Sequence, residues 1–286
     1  VLVTTRIDDL RAALASHRQR GARIGFVPTM GSLHDGHLAL VDWARADADV
    51  VVMSIFVNPL QFAAHEDFGR YPRDAEGDAA KAAARGVDIL WIPTVDEMTP
   101  ADDRLWPVRV VPSLEPARWE AAARPGHFTG VLTIVAKLFH IVQPDVAVFG
   151  QKDVQQLTLV RAMVRGLDIP VRLIAAPTSR DADGLALSSR NAYLDADERR
   201  SAVGLSRALA AVQRSFASGQ RHADQLEACG RAALAETPGV DVDYLAVVEP
   251  DRLEPVREAV EGTVVMVAAR VGRTRLLDNI VLSAGG

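Results

Sequence analysis

Ile24-Gly25-Phe26-Val27-Pro28-Thr29-Met30-Gly31-Ser32-Leu33-His34-Asp35-Gly36-His37 passes from an apolar, partly β-branched segment through a proline and two glycines to a pair of histidines. Arg23 to Val27 reads as a buried strand stopped by Pro28, and Leu38 to about Asp47 as a helix with its apolar side turned inward. The turn between them joins a strand's carboxyl end to a helix's amino end. Unpaired backbone N–H groups and the helix dipole favour an anion there. Gly31 and Gly36 supply positive φ and a close approach to the backbone. His34 and His37 lie three apart, so a first helical turn that includes both sets them on one face. An imidazole in that place can donate to a phosphate oxygen and carry positive charge as it does so, and nucleotide phosphates are the anions it suits.

Gly31-x4-Gly36 has the glycine spacing of a P-loop, but His37-Leu38 stands where that loop needs Lys and Ser or Thr. A zinc site wants histidines four apart around a Glu, or a third ligand close by, and neither is present. Two surface histidines in a turn remain the plain alternative for the motif taken alone.

Outward from this stretch, elements alternate. Ile7 to Arg20 has helical spacing ending at Gly21, Val50 to Val57 is an uninterrupted central strand, Asp74 to Arg85 a helix and Asp88 to Ile92 a strand. Thr94 to Gly126 is proline-rich and irregular, with a short strand expected at Val108 to Val111. Thr129 to Val142 is an apolar helix, Val146 to Phe149 a strand, Asp153 to Arg165 a helix and Val171 to Ala175 a strand. The pattern predicts an α/β fold: a Rossmann-like doubly wound parallel sheet over residues 1–178, with ligands at the carboxyl ends of its strands. No GxGxxG follows any strand, which argues against a dinucleotide cofactor. Helices at Asp195 to Ser218 and His222 to Glu236 then precede strands at Val242 to Val248, Val264 to Val271 and Ile280 to Leu282. A smaller α+β domain over residues 179–286 follows.

The 286 residues are long enough for two domains, and 49% hydrophobic with 24% charged is the balance of a soluble globular protein. A net charge of -5 and the lack of a dense Lys/Arg block argue against nucleic acid as a partner. The longest apolar run is far short of a membrane span, and Asp8 and Asp9 stand where a signal peptide would be apolar, so we expect no membrane association and a cytoplasmic location. Val1 in place of Met reads as a processed or trimmed end. The single Cys229 excludes an internal disulfide.

Five further polar clusters stand out. Asn58 and Gln61 are uncharged amides suited to a hydroxyl or carboxylate, or Asn58 simply starts a turn before Pro59. Gly150-Gln151-Lys152-Asp153 repeats the strand, glycine, helix-start arrangement: Lys152 reaches toward a phosphate, and Asp153 caps the helix or binds Mg²⁺. Of Gln155 and Gln156, one faces the pocket. Asp183 to Asn191 gathers Ser188, Ser189 and Arg190 on a loop able to close over the β and γ phosphates of ATP, or serves only as an interdomain linker. Arg124-Pro125-Gly126-His127-Phe128 and Tyr71-Pro72-Arg73 add cationic and aromatic groups, or rigid turns.

Pro28 to Gly31 with His34 to His37, Ser54 to Phe62, Tyr71 to Arg73, Arg124 to Phe128, Gly150 to Asp153 with Gln155-Gln156, Leu187 to Asn191 and Thr274 to Asn279 together closely resemble the pantothenate synthetase family, in order along nearly the whole chain. The resemblance implies a HIGH-type nucleotidyltransferase: an ATP-dependent ligase that condenses (R)-pantoate with β-alanine through pantoyl adenylate, releasing AMP and pyrophosphate. It also implies a Mg²⁺ requirement, a cytoplasmic homodimer, and a lid corresponding to the serine-arginine loop. Carried over by position, Met30, Gly31, Ser32, Leu33, His34, Asp35, Gly36 and His37 hold ATP, with His37 the general acid and His34 its partner on the phosphates. Gln61 binds pantoate and β-alanine, and Gln156 binds pantoate. Gly150, Gln151, Lys152 and Asp153 take the nucleotide, Ser179 lies beside the adenine, and Leu187, Ser188, Ser189 and Arg190 take the phosphates. Lys152, Ser188, Ser189 and Arg190 count with the histidines as catalytic, and Asn58, Met30 and His127 join the substrate contacts.

Three positions depart from the family's pattern. Gln151 stands where Glu is usual, which leaves Asp153 and Asp78 as the metal ligands. Glu120-Ala121-Ala122-Ala123 lacks a glycine after the Glu, so that loop is expected to be stiffer, and Ser179 replaces an apolar residue. The rival functions are another adenylyltransferase of the superfamily and a nucleotide-sensing regulator without chemistry. A transfer-RNA synthetase is disfavoured by a short, acidic chain.

Overall fold

The computed structural model describes residues 1–63, 66–100, 108–112 and 118–284, with the side chain of Asp67 excepted. It divides into two compact units, Val1–Gly150 with Leu159–Ala176, and Gln151–Thr158 with Pro177–Gly286.

The first unit runs β1 (Leu2–Thr4), α1 (Ile7–Gln19), β2 (Ile24–Thr29), α2 (Asp35–Arg45), β3 (Val50–Ile55), α3 (Ala75–Ala84), β4 (Ile89–Trp91), α4 (Val95–Met98), α5 (Trp119–Ala123), α6 (His127–Val142), β5 (Val146–Gly150), most of α7 (Val154–Gly166) and β6 (Arg172–Ala176). Its six strands form one parallel sheet in the order β1-β4-β3-β2-β5-β6. The direction of winding reverses between β2 and β5, the place where doubly wound sheets open a crevice beyond their strand ends. Val-Val-Val-Met-Ser-Ile of β3 is buried along its whole length, as a strand covered on both faces should be. One core cluster joins Val27, Val51, Met53 and Leu90 of the sheet to Leu40, Val41 and Ala44 of α2.

The alternation of elements is as the sequence predicts, with three local differences. β2 does not stop at Pro28 but runs to Thr29. Thr29 O accepts from Phe56 N at 3.0 Å on the β3 side, so Pro28, one residue earlier, turns its missing donor toward β5. The β5 ladder pairs only with Gly25 and Phe26, so no hydrogen bond is lost. β1 was not legible in the sequence, and it exists through its pairing of Leu2, Val3 and Thr4 with Ile89, Leu90 and Trp91. No strand forms at Val108 to Val111, where Val110 N instead donates to Thr133 Oγ1 at 2.9 Å. Two short helices, α4 and α5, punctuate the irregular stretch from Thr94 to Gly126, parts of which lie outside the described residues.

α2 packs closely on β2. A Cβ at Gly25 would stand 2.9 Å from Ala48 Cβ and 3.3 Å from Ala44 Cβ, so only glycine admits the helix at this distance.

In the second unit, α8 (Ala196–Ala217) and α9 (Ala223–Ala235) cover an antiparallel sheet, β7 (Val240–Val248), β8 (Val264–Val271) and β9 (Thr274–Val281), in that order. Leu205, Leu209 and Val212 of α8, Leu226 and Leu234 of α9, and Leu245, Val265 and Val267 of the sheet form its core. Asp195 and Glu198 make a reciprocal capping box at the start of α8. β9 begins six residues before the expected Ile280, because Asp278 and Asn279 interrupt its apolar pattern while themselves being buried.

Candidate active site

The histidine motif leaves β2 and enters α2. His34 is the N-cap of α2, and His37 N donates to His34 O at 2.8 Å. The two imidazoles stack, ring centroids 4.0 Å apart and 30° between planes, so both stand on one side of the helix start. Gly31 has φ +79°, but the second left-handed residue is Ser32 at +52° and not Gly36, which lies inside α2. A carboxylate holds this backbone in place. Asp78, 1% exposed on α3, accepts from Ser32 N and from Leu33 N, each at 2.7 Å, and Lys81 Nζ donates to Leu33 O at 2.9 Å. The Leu33 side chain is itself in the core. Ser32 and Leu33 thus give their N–H groups to the protein.

Asp78, expected as a metal ligand, here holds the turn. Its carboxylate is engaged by two amide hydrogens inside the protein. Among the described residues, no three His, Cys, Asp or Glu side chains gather as a metal site.

Gln61 stands on a 3₁₀ turn, Pro59–Gln61, after β3. Gly130 of α6 lets the helix press on that turn: a Cβ there would be 2.2 Å from Leu60 O and 2.8 Å from Gln61 N. Asn58, 2% exposed, supports the turn with its whole amide, since Leu60 N donates to Oδ1 at 3.0 Å and Nδ2 donates to Gln61 Oε1 at 3.0 Å and Gly130 O at 3.1 Å. The turn reading of Asn58 is the one the structure shows: it starts a turn before proline, and its amide also contacts Gln61. Gln61 Nε2 points at Met30 Sδ, 3.1 Å away, which places Met30 and Gln61 side by side.

His127 and Arg124 fasten the same turn from behind. Gln61 O can only accept, so His127 Nδ1, 2.8 Å away, carries the proton, and Nε2 accepts from Arg124 Nη1 at 3.1 Å. Burial, followed by the charge of Arg124, lowers the His127 pKa to about 4, so the ring is neutral near pH 7. Arg124 also donates to Gln61 O at 3.2 Å and pairs with Glu66 at 2.6 and 2.8 Å. Burial raises the Glu66 pKa, but the hydrogen bond and charge of Arg124 outweigh it, and the net shift is downward. His127 thus holds the backbone of Gln61. Glu66 was missed in the sequence because nothing in its spacing ties it to Arg124, 58 residues away. Arg73 straps the preceding segment, donating to Tyr71 O at 3.1 Å and Phe68 O at 2.9 Å, which is the rigid-turn reading of Tyr71-Pro72-Arg73.

The remaining candidates fall in the second unit, apart from Gly150, which ends β5 in the first. Lys152 Nζ lies 3.7 Å from Asp153 Oδ1, the lysine side chain 20% and the aspartate side chain 50% exposed. Of the two glutamines, Gln155 is buried and Gln156 half-buried. Ser188 caps the 3₁₀ turn Ser189–Tyr193, its Oγ accepting from Arg190 N at 3.3 Å. Ser179 O accepts from Leu187 N at 2.9 Å, closing the base of that loop.

The profile of the family described as Pantoate-beta-alanine ligase matches residues 2–281. A pantothenate synthetase of Acidobacterium capsulatum is 51% identical over 96% of this chain and 95% of its own. The crystal structure of pantothenate synthetase from Thermus thermophilus superposes with a TM-score of 0.92 at 47% identity, covering 98% of this chain and 99% of that one. That of a pantoate-beta-alanine ligase from Francisella tularensis, complexed with beta-gamma ATP and beta-alanine, gives a TM-score of 0.79 at 30% identity, covering 98% and 97%. With matches of this extent behind the resemblance of its motifs, this chain belongs to the pantoate–β-alanine ligase family.

Proposed function

We propose that the chain performs its family's ligation of (R)-pantoate and β-alanine in two steps, with ATP as cosubstrate. In the first, a pantoate carboxylate oxygen attacks the α-phosphorus of ATP, the bond to the β-phosphate breaks, and pantoyl adenylate and pyrophosphate form. In the second, the amine of β-alanine attacks the acyl carbon and expels AMP. A carboxylate is a poor electrophile at neutral pH, and AMP gives it a leaving group. The observation that carries this reading is the stacked His34–His37 pair at the end of the central strand, on a turn whose own amides are partly occupied by Asp78. Imidazoles are then the groups left to meet the phosphates, His37 as general acid and His34 beside it.

Gln61, with Met30 at its side, is assigned to pantoate and β-alanine, and Gln156 to pantoate. The contributions of Gly150, Gln151, Ser179 and Leu187 to the nucleotide are assigned by position. Lys152, Ser188, Ser189 and Arg190 offset charge on the phosphates. Mg²⁺ when bound with ATP adds to that neutralisation, and Asp153, half exposed, fits an ion that takes most ligands from phosphate and water. A cytoplasmic homodimer completes the proposal, testable by light scattering in solution. No helix among the described residues is long and apolar enough to cross a membrane.

The deciding experiment mixes enzyme, ATP, Mg²⁺ and pantoate without amine. Stoichiometric pyrophosphate release, followed by AMP release only on adding β-alanine, is the expected result. Pyrophosphate release with no AMP release on adding β-alanine favours another adenylyltransferase, and ATP binding without pyrophosphate release favours a regulator. His37→Ala should abolish the burst and leave the fold intact.

A further inference from the structure

Thr274 to Asn279 carries part of the family resemblance but has no task in the reaction described so far. Its last two residues are buried polar groups on β9, Asp278 4% and Asn279 2% exposed. Asn279 Nδ2 donates to two successive carbonyls, Gln151 O at 3.0 Å and Lys152 O at 2.7 Å. Carbonyls only accept, so chemistry fixes which way the amide faces. In a trans peptide the N–H points opposite to the C=O. Drawing the carbonyls of Gln151 and Lys152 toward β9 therefore turns the N–H groups of Lys152 and Asp153 the other way, just before α7 begins at Val154.

Asp278 holds a second segment. Its two oxygens take Arg180 Nη1 at 2.6 Å and Nη2 at 3.0 Å, and Oδ1 also accepts from Asn279 N at 2.8 Å. Arg180 donates onward to Gly184 O at 3.2 Å and bridges to Ala186, beside the closure of Leu187 N on Ser179 O. It thus stands at the root of the loop that carries Ser188, Ser189 and Arg190. All these contacts lie within the second unit.

We infer that Asp278 and Asn279 are positioning residues for adenylate formation: Asn279 sets the backbone of Lys152, and Asp278, through Arg180, sets the root of the serine-arginine loop. Adjacent residues of one strand thereby fix both phosphate-handling segments in a common frame. The inference rests on the reading that Lys152 and Arg190 act on the phosphates.

The test is a double-mutant cycle on single-turnover pyrophosphate release, with thermal melting as the check on folding. Asn279→Asp keeps the shape but sets a carboxylate against two carbonyl oxygens. It should slow release at least tenfold while the pantoate KM stays within twofold. Combined with Lys152→Ala, it should slow release by less than the product of the two single effects, because Asn279 acts in part through the position of the lysine. Asp278→Asn with Arg190→Ala should show the same lack of multiplication. Effects that multiply, or an Asn279→Asp enzyme at the wild-type rate, overturn the inference while leaving the role of Lys152 intact. Lys152→Ala at the wild-type rate removes the reading of the lysine, and the inference falls with it. Should Asn279→Asp not fold, Asn279→Ser, which keeps one donor, replaces it in the cycle.

Discussion

Two turns of this molecule make the same passage from a parallel strand to a helix, and the protein handles them in opposite ways. After β2, Asp78 takes the N–H groups of Ser32 and Leu33. After β5, Asn279 takes the carbonyls of Gln151 and Lys152. One turn has given up amide donors and carries two imidazoles; the other has given up acceptors, and its N–H groups turn away from β9 beside an ammonium. The difference shows that a helix start is not by itself an anion site: which backbone groups remain depends on what side chain reaches the turn.

The largest expected effect breaks the first turn. Asp78→Ala leaves two buried N–H groups without acceptors, at about 1–3 kcal/mol each, so urea unfolding should show a loss near 4 kcal/mol together with the loss of the pyrophosphate burst. Unchanged stability would mean that the turn is not held by this carboxylate. Next is Gly130→Ala. Its methyl would meet the Leu60 carbonyl at 2.2 Å, and overpacking against backbone outweighs the helix-propensity gain of about 1 kcal/mol. A net loss of about 1–2 kcal/mol and a raised pantoate KM, read by steady-state kinetics, are expected as the Gln61 turn moves.

A smaller effect is pH-dependent. His127 is held neutral, with a folded pKa of about 4 against an ordinary 6.5. The unfolded chain therefore binds the extra proton between those values, and stability falls as pH is lowered through that window, by at most about 3 kcal/mol. His127→Gln, which can donate to Gln61 O and accept from Arg124, should flatten the stability profile from pH 6.5 to 4; an unaltered slope would remove the assignment. The smallest effect contrasts two arginines near the serine-arginine loop. Arg199 pairs with Asp181 and Asp183 at the surface, its side chain 37% exposed, and Arg199→Ala should change stability by less than about 1 kcal/mol. A larger change would put it on a par with Arg180, whose partner Asp278 is buried.

The parallel sheet was legible because each central strand is a continuous apolar run and each long helix keeps its spacing. Elements defined by a partner were not. β1 is three residues long and is a strand only beside β4, while Val108 to Val111 has the composition of a strand and pairs with no strand among the described residues. In the site, the residues assigned to the substrates stood out as motifs: His34, His37, Gln61, Lys152, Ser188 to Arg190. The contacts that hold them in place did not: Asp78 read as a metal ligand, Asn279 as the end of a family motif, and Glu66 drew no reading, because the contacts that define them span 45, 58 and 127 residues.

Gly25 has a consequence at the histidines. α2 is a stiff rod of 11 residues, about 16 Å long, whose far end rests against the bare Cα of Gly25 and whose near end bears the two rings. Any side chain at residue 25 would have to tilt or slide that rod, and the imidazoles would swing with it. The aim of the two rings is thus set partly by a missing methyl group at the opposite end of the helix.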